Sequence, residues 1–233
     1  MKILYYDNVT YNMEDFKKYV LDKDYIDGLV VNTVMSQDGK LVIVHFENVE
    51  TIVQGIEKLP YQEAKESAIT LLDDALKIIT STNERILINA IITPSLLNYK
   101  DLEKYSNSLL EIINKYPSQN ISIFSLSYPL IDFLKKKITK NKIGVLLSAQ
   151  NASYIDVDFY IFPPILLTPF ILNQQYNNGK ELMVLLQNWS DLNQTNRFFT
   201  DEQNKDKLSR QLIDSMSILT RYPEITYNTV KNI

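Results

Sequence analysis

The residues of this chain that could carry chemistry are few, and most of them fall early. His45 is the only histidine in 233 residues, and imidazole exchanges a proton more readily near neutral pH than any other side chain. It closes the apolar run Leu41–His45, which places it at a strand end. Asn32 lies within one further apolar run, Leu29–Val34, and Asn89 within another, Arg85–Ile91. A side-chain amide in such a run has to find hydrogen-bond partners, and it can offer them to a sugar or phosphate oxygen. For all three the plainer reading is a packed polar residue with no ligand. Between the first two runs, Gln37-Asp38-Gly39 supplies the φ > 0 geometry of a tight turn.

Other polar groupings read as structure. Asp73-Asp74 looks like a carboxylate pair, but adjacent residues on a helix point about 100° apart, so the pair belongs to a solvated face. Lys135-Lys136-Lys137, with Lys140 and Lys142, could attract phosphate; such a run is more often the exposed end of a helix, where positive charge suits the macrodipole. The aromatic, proline-rich stretch Phe159–Phe170 could form an oligomer contact, although core or loop packing accounts for it too. Trp189-Ser190-Asp191 is a weak candidate for the lining of a site.

Composition narrows the classes. A net charge of −4 and a pI near 5.2 argue against general nucleic-acid binding. The absence of cysteine removes disulfides and thiolate metal sites and suits a cytoplasmic protein. Five scattered glycines provide neither a P-loop nor a dinucleotide fingerprint. No window offers the roughly 18 apolar residues of a membrane span. The hydrophobic share of 45% supports a large core.

The elements that must position these residues alternate. Short runs apolar on both faces, as buried parallel strands are, fall at Ile3–Tyr6, Leu29–Val34, Leu41–His45, Arg85–Ile91, Ile121–Phe124, Ile143–Leu147 and Leu182–Leu186, with a last strand near Glu224–Tyr227. Helical periodicity falls at Met13–Leu21, Gln62–Thr80, Asp101–Lys115, Leu130–Lys137 and Lys205–Leu219, while 154–172 has no clear pattern. Eight or nine strands alternating with helices predict a closed α/β barrel of the TIM (β/α)8 type, formed as one domain over residues 1–233.

Within this pattern, Ser36-x-Asp38-Gly39 followed six residues later by His45 resembles the signature of the glycerophosphodiester phosphodiesterases. In that family a strand with Glu-x-Asp-Val leads to Thr/Ser-x-Asp-Gly, and the next strand ends in His-Asp. Weaker similarities run along most of the chain: Glu14-Asp15-Phe16 in the first helix, Asn89-Ala-Ile91 where the family has Glu-x-Lys, Ile121-Ser-Ile-Phe-Ser125-Leu126-Ser127 where it has a Ser-Phe-Asp strand, Met183–Asn188 where Trp-Thr-Val-Asn is usual, and Ile225-Thr226-Tyr227 as the closing Ile-Thr-Asp. The resemblance implies a barrel of the phospholipase-C-like phosphodiesterase superfamily, phosphoric diester hydrolysis with Mg²⁺ or Ca²⁺ and two histidines, and a place in lipid metabolism.

The residues depart from that chemistry. The family's Glu-x-Asp pair falls on Val30 and Asn32, its later Glu-x-Lys on Asn89 and Ile91, and its opening His-Arg-Gly near Tyr5-Tyr6-Asp7. The Asp of His-Asp is Phe46, and one histidine cannot serve as both acid and base of a pair. Hard cations require clustered anionic oxygens, so no resident metal is expected, and the loss of charge stabilisation outweighs what a lone acid/base could supply. The expectation is a catalytically degenerate relative in which His45 is a remnant acid/base and Asn32 and Asn89 mark vacated ligand positions, with a small phosphodiester or polyol as the retained ligand. Two alternatives stand: an active enzyme with a site rebuilt from Asp7, Glu47 or Asp191, and an interaction barrel whose pocket is filled by Tyr5, Tyr6 and Phe46.

Overall fold

The computed structural model of the protein describes residues 1–6, 25–44, 56–64, 70–79, 85–92, 98–117, 120–148 and 155–231. His45, Phe46, Glu47, Asp7 and the helix expected at Met13–Leu21 lie outside the described residues.

The described strands are β1 (Lys2–Tyr6), β2 (Gly28–Met35), β3 (Leu41–Val44), β4 (Thr70–Leu71), β5 (Arg85–Ala90), β6 (Ile121–Ser125), β7 (Lys142–Leu146), β8 (Phe159–Phe162), β9 (Glu181–Leu186) and β10 (Ser217–Thr220). Eight of them close a parallel ring in the order β1-β2-β5-β6-β7-β8-β9-β10, with β10 pairing back to β1. Around the ring lie α2 (Leu72–Ile79), α3 (Tyr99–Ile113), α4 (Tyr128–Lys137), α5 (Pro169–Asn177), α6 (Trp189–Thr200), α8 (Arg210–Ser215) and α9 (Pro223–Val230), with the short turns α1 (Tyr61–Ala64) and α7 (Glu202–Lys205). This is a TIM-type (β/α)8 barrel, as the alternation predicts.

Why the runs are apolar on both faces is plain from burial. Alternate residues fill the lumen, among them Leu4, Tyr6, Val30, Leu87, Phe124, Phe159, Ile161, Met183, Leu185 and Leu219. The residues between them, such as Leu29, Val31, Ile86, Ile88, Ile123, Val145 and Val184, pack under the helices. At the N-terminal end of the lumen Arg85 forms a bidentate ion pair with Glu181, donates to Ser122 Oγ at 3.3 Å and lies over the Phe159 ring at 5.6 Å. Burial alone would raise the Glu181 carboxyl; the hydrogen bond and charge of Arg85 outweigh it and hold the group below its usual range.

β2 is longer than its neighbours because it serves two partners on one edge. Gly28–Val30 pair with β1, and beyond the end of β1 the residues Asn32–Met35 pair antiparallel with β3. The connecting turn matches the expected Asp-Gly geometry: Gly39 has φ +84°, Ser36 N donates to Lys40 O at 2.9 Å, and Asp38 Oδ1 accepts from Ser36 Oγ at 2.5 Å and from Tyr61 N at 3.0 Å.

Three expected elements are corrected. The helix Gln62–Thr80 is interrupted, since Thr70 and Leu71 pair with Ile43 and Val42 as β4 before α2 begins; the open edge of β3 takes up backbone groups that a helix would otherwise use. Of the helix expected at Lys205–Leu219 only Arg210–Ser215 is helical beyond the short turn ending at Lys205, and Ser217–Thr220 form the strand that closes the barrel. Glu224–Tyr227 are therefore helical, within α9, where Pro223 occupies the first turn. The patternless stretch supplies β8, a 3₁₀ turn at Pro164–Leu166 and the start of α5.

Candidate functional site

In a parallel barrel the C-terminal strand ends surround the mouth where sites form. Asn32 and Asn89 are register partners on β2 and β5 at that end. Both are buried, at 3% and 7% exposure. Asn89 Nδ2 donates to Asn32 Oδ1 at 2.7 Å, and Tyr6 Oη, from the last residue of β1, donates to the same oxygen at 2.8 Å. Asn89 Nδ2 is also 3.5 Å from Tyr6 Oη. The two sequence-derived ligand positions thus meet, and the tyrosine that binds them together was expected only as filling. Burial pushes the Tyr6 phenol well above its ordinary value, and its bonds to Asn89 and Asn32 and the charge of Arg221 offset only part of that.

A second polar network on the outer face holds these two strands in register. Thr33 Oγ1 lies 3.1 Å from Asn89 O and 2.7 Å from Tyr105 Oη, and Tyr105 Oη lies 3.0 Å from Thr33 O, so the two hydroxyl protons are shared among these three contacts. Ile91 N donates to Thr33 O at 2.9 Å. The backbones carrying Asn32 and Asn89 are therefore clamped from behind by α3.

Arg221 is a functional candidate that the sequence reading missed. It directly follows β10, whose Thr220 continues the register that pairs Leu219 with Leu4 and Thr220 with Tyr5. The Tyr6 hydroxyl feels the charge of Arg221, which places the guanidinium near the β1 end of the mouth. The missed signal was local: the closing strand is Ser217–Thr220 and not Glu224–Tyr227, and Arg221 directly follows it. On the same rim Trp189 stacks on Tyr222, their centroids 5.4 Å apart and their planes 21° apart.

Other candidates divide. Tyr5 packs outward with the helix-layer core, so it does not fill the lumen as expected, whereas Tyr6 does. Asp191 Oδ2 accepts from Gln187 N at 2.8 Å, and Asp191 N donates to Asn188 Oδ1 at 3.0 Å, a cap for α6. Asp73 lies on a partly exposed helix face, bound by Lys115 and Tyr116. A recess of about 840 Å³, lined by Lys2, Asp27, Arg85, Lys142 and Lys180 among others, opens at the opposite, N-terminal end of the barrel.

The donor chemistry at Asn32 and Asn89 does not fit a divalent cation. The carbonyl oxygen of Asn32 already accepts two hydrogen bonds, which use both of its lone pairs, and neither amide carries the negative charge that Mg²⁺ or Ca²⁺ requires. Among the described residues, no three of His, Cys, Asp and Glu gather closely enough to hold a metal. No described helix is long and apolar enough to cross a membrane.

No family model matches the sequence, and no curated protein matches it. Solved structures match throughout. A Silicibacter pomeroyi protein assigned as a glycerophosphoryl diester phosphodiesterase superposes with a TM-score of 0.75 at 12% identity, covering 100% of this chain and 93% of that one. A phosphodiesterase of Oleispira antarctica, solved with the product sn-glycerol-3-phosphate, gives 0.73 at 12% identity, over 99% and 97%. A glycerophosphodiester phosphodiesterase of Parabacteroides distasonis gives 0.72 at 12%, also over 99% and 97%. At these identities the likeness establishes the fold: it is that of the glycerophosphodiester phosphodiesterases.

Proposed function

We propose that this protein is a divergent member of the glycerophosphodiester phosphodiesterase family that has lost the metal-dependent reaction and keeps its barrel mouth as a binding site for a small phosphodiester or polyol. One observation carries this reading. Asn32 and Asn89 meet where the resemblance puts the family's carboxylates, and Tyr6 locks them into a neutral hydrogen-bonded cluster. A cluster of this kind supplies neither the charge neutralisation nor the activated nucleophile that phosphodiester hydrolysis draws from a metal.

The same mouth has features that suit an anionic ester. The charge of Arg221 reaches Tyr6 and would suit a phosphoryl oxygen there, and the Trp189–Tyr222 stack offers an apolar face to a polyol's C–H groups. Binding without turnover is the outcome such a site favours.

The test is a hydrolysis assay on glycerophosphocholine and glycerophosphoglycerol with added Mg²⁺ or Ca²⁺, paired with calorimetric titration of sn-glycerol-3-phosphate. The reading predicts no release of glycerol phosphate above the uncatalysed rate, and saturable binding that Arg221→Gln weakens. Turnover abolished by a chelator would instead establish an enzyme with a rebuilt site.

A further inference from the structure

The recess at the N-terminal end of the barrel lies opposite the mouth, and its lining is rich in hydrogen-bond donors. Lys2, Arg85, Lys142 and Lys180 line it together with Asp27 and Glu181, so cations outnumber carboxylates two to one in a protein whose net charge is −4. Lys2 and Lys142 open β1 and β7, and Lys180 directly precedes β9. None of the three stands in the last turn of a helix, where the macrodipole would account for a lysine.

The carboxylates do not use up this charge. Glu181 is shared, since Arg85 holds both of its oxygens and Lys142 Nζ lies 3.3 Å from Oε2. Lys180 Nζ donates to Asp156 Oδ1 at 2.7 Å, and Lys135 draws on the same carboxylate. Asp27 gives Oδ2 to Ile3 N at 2.7 Å. Among the described residues Lys2 Nζ has no acceptor, and neither the Asn120 amide nor the Tyr176 hydroxyl, both on the lining, has a hydrogen-bond partner. Arg85 Nε is buried without a partner, as is Ser217 Oγ on the register partner of Lys2. Buried donors are nearly always satisfied, so open ones call for an acceptor from outside the chain.

We propose that this recess is a binding site for a small organic phosphate bearing two or more negative charges. Its volume of about 840 Å³ falls among small-molecule sites, roughly 300–1,000 Å³, and is more than a single inorganic anion fills. A phosphoryl group presents several anionic acceptors, so it can meet ammonium groups that arrive from different strands. Glu181 holds the Arg85 guanidinium in place beforehand, which spares the cost of ordering it on binding. Asn120 and Tyr176 suit ester or hydroxyl oxygens in the rest of the molecule, and Asp27 Oδ1 is left to accept from a hydroxyl.

The intact protein is titrated calorimetrically with pyrophosphate, free of divalent metal, at low and at raised salt. The expected result is a saturable one-site isotherm that salt weakens. The double substitution Lys2→Met, Lys142→Met removes two charges and leaves the Arg85–Glu181 pair in place. It should raise Kd about tenfold, while Arg221→Gln, at the mouth, leaves Kd unchanged. Should the double variant lower the thermal midpoint, Lys2→Met alone carries the test with a rise of about threefold, because Lys2 supports no ion pair among the described residues. The absence of saturable heat would overturn the proposal. So would binding that Arg221→Gln abolishes and the lysine variants leave intact, since that puts the anion at the mouth.

Discussion

Asn89 Nδ2 donates to Asn32 Oδ1 at 2.7 Å across the parallel β2–β5 pair, and the same oxygen accepts from Tyr6 Oη. Three strands thus contribute polar side chains to this cluster, and those side chains bond to one another.

Restoring one carboxylate therefore should not restore a site. Asn32→Asp buries a carboxylate whose desolvation the donors Tyr6 Oη and Asn89 Nδ2 and the charge of Arg221 near Tyr6 offset only in part, at a cost on the order of 3 kcal/mol at neutral pH. Burial raises the folded-state pKa of such a carboxyl, so the penalty is present above the unfolded value and fades as pH falls and the group stays protonated. Thermal midpoints of the variant and the parent, measured from neutral to acid pH, should converge toward acid.

Tyr6→Phe keeps the ring in the lumen and removes one donor from Asn32 Oδ1. The expected loss is about 1 kcal/mol in denaturant unfolding, with the slope against denaturant unchanged. A loss of several kcal/mol would mean that the phenol holds more than this cluster.

Glu181 predicts an acid limb of stability. Its folded pKa lies below the ordinary carboxylate value because Arg85 holds the charged form. Its contribution is thus complete above the unfolded pKa of about 4.3 and is lost as pH falls through the lower folded value. Glu181→Gln should flatten that acid limb. Arg85→Met leaves Glu181 at the lumen floor without its main partner, and should cost about 2–4 kcal/mol at neutral pH, read from chemical unfolding.

Gly39 sits at φ +84°, and a Cβ there would come within 2.6 Å of Lys104 Cε. The lysine end can move, but the backbone conformation still disfavours an L side chain. Gly39→Ala should destabilise by about 1 kcal/mol or somewhat more, seen as a lower thermal midpoint.

Parts of this architecture were legible in the sequence for physical reasons. Buried parallel strands are apolar on both faces, so Leu29–Val34, Arg85–Ile91 and Ile121–Phe124 stood out, and Asp38-Gly39 could only be a turn. The resemblance singled out Asn32 and Asn89 one by one, and the β2–β5 register sets them side by side. The closing strand did not stand out, because Ser217–Thr220 continue the helical spacing of the residues before them and only the vacancy between β9 and β1 selects the extended form. That error displaced the closing strand by several residues and hid Arg221. β8 was obscured by the prolines that follow it, and β4 by two residues too few to interrupt a helical pattern. The role of Tyr6 required knowing which way β1 faces, since Tyr5 and Tyr6 are identical by type and opposite in direction.

In the proposed reading the amide cluster of Asn32 and Asn89 stands in place of a cation site. Calorimetric titration of the intact protein with Mg²⁺ and with Ca²⁺ addresses it most directly. The account predicts only weak, non-saturating heats, unchanged by Asn32→Ala or Asn89→Ala. A saturable one-site isotherm that either substitution abolishes would contradict it.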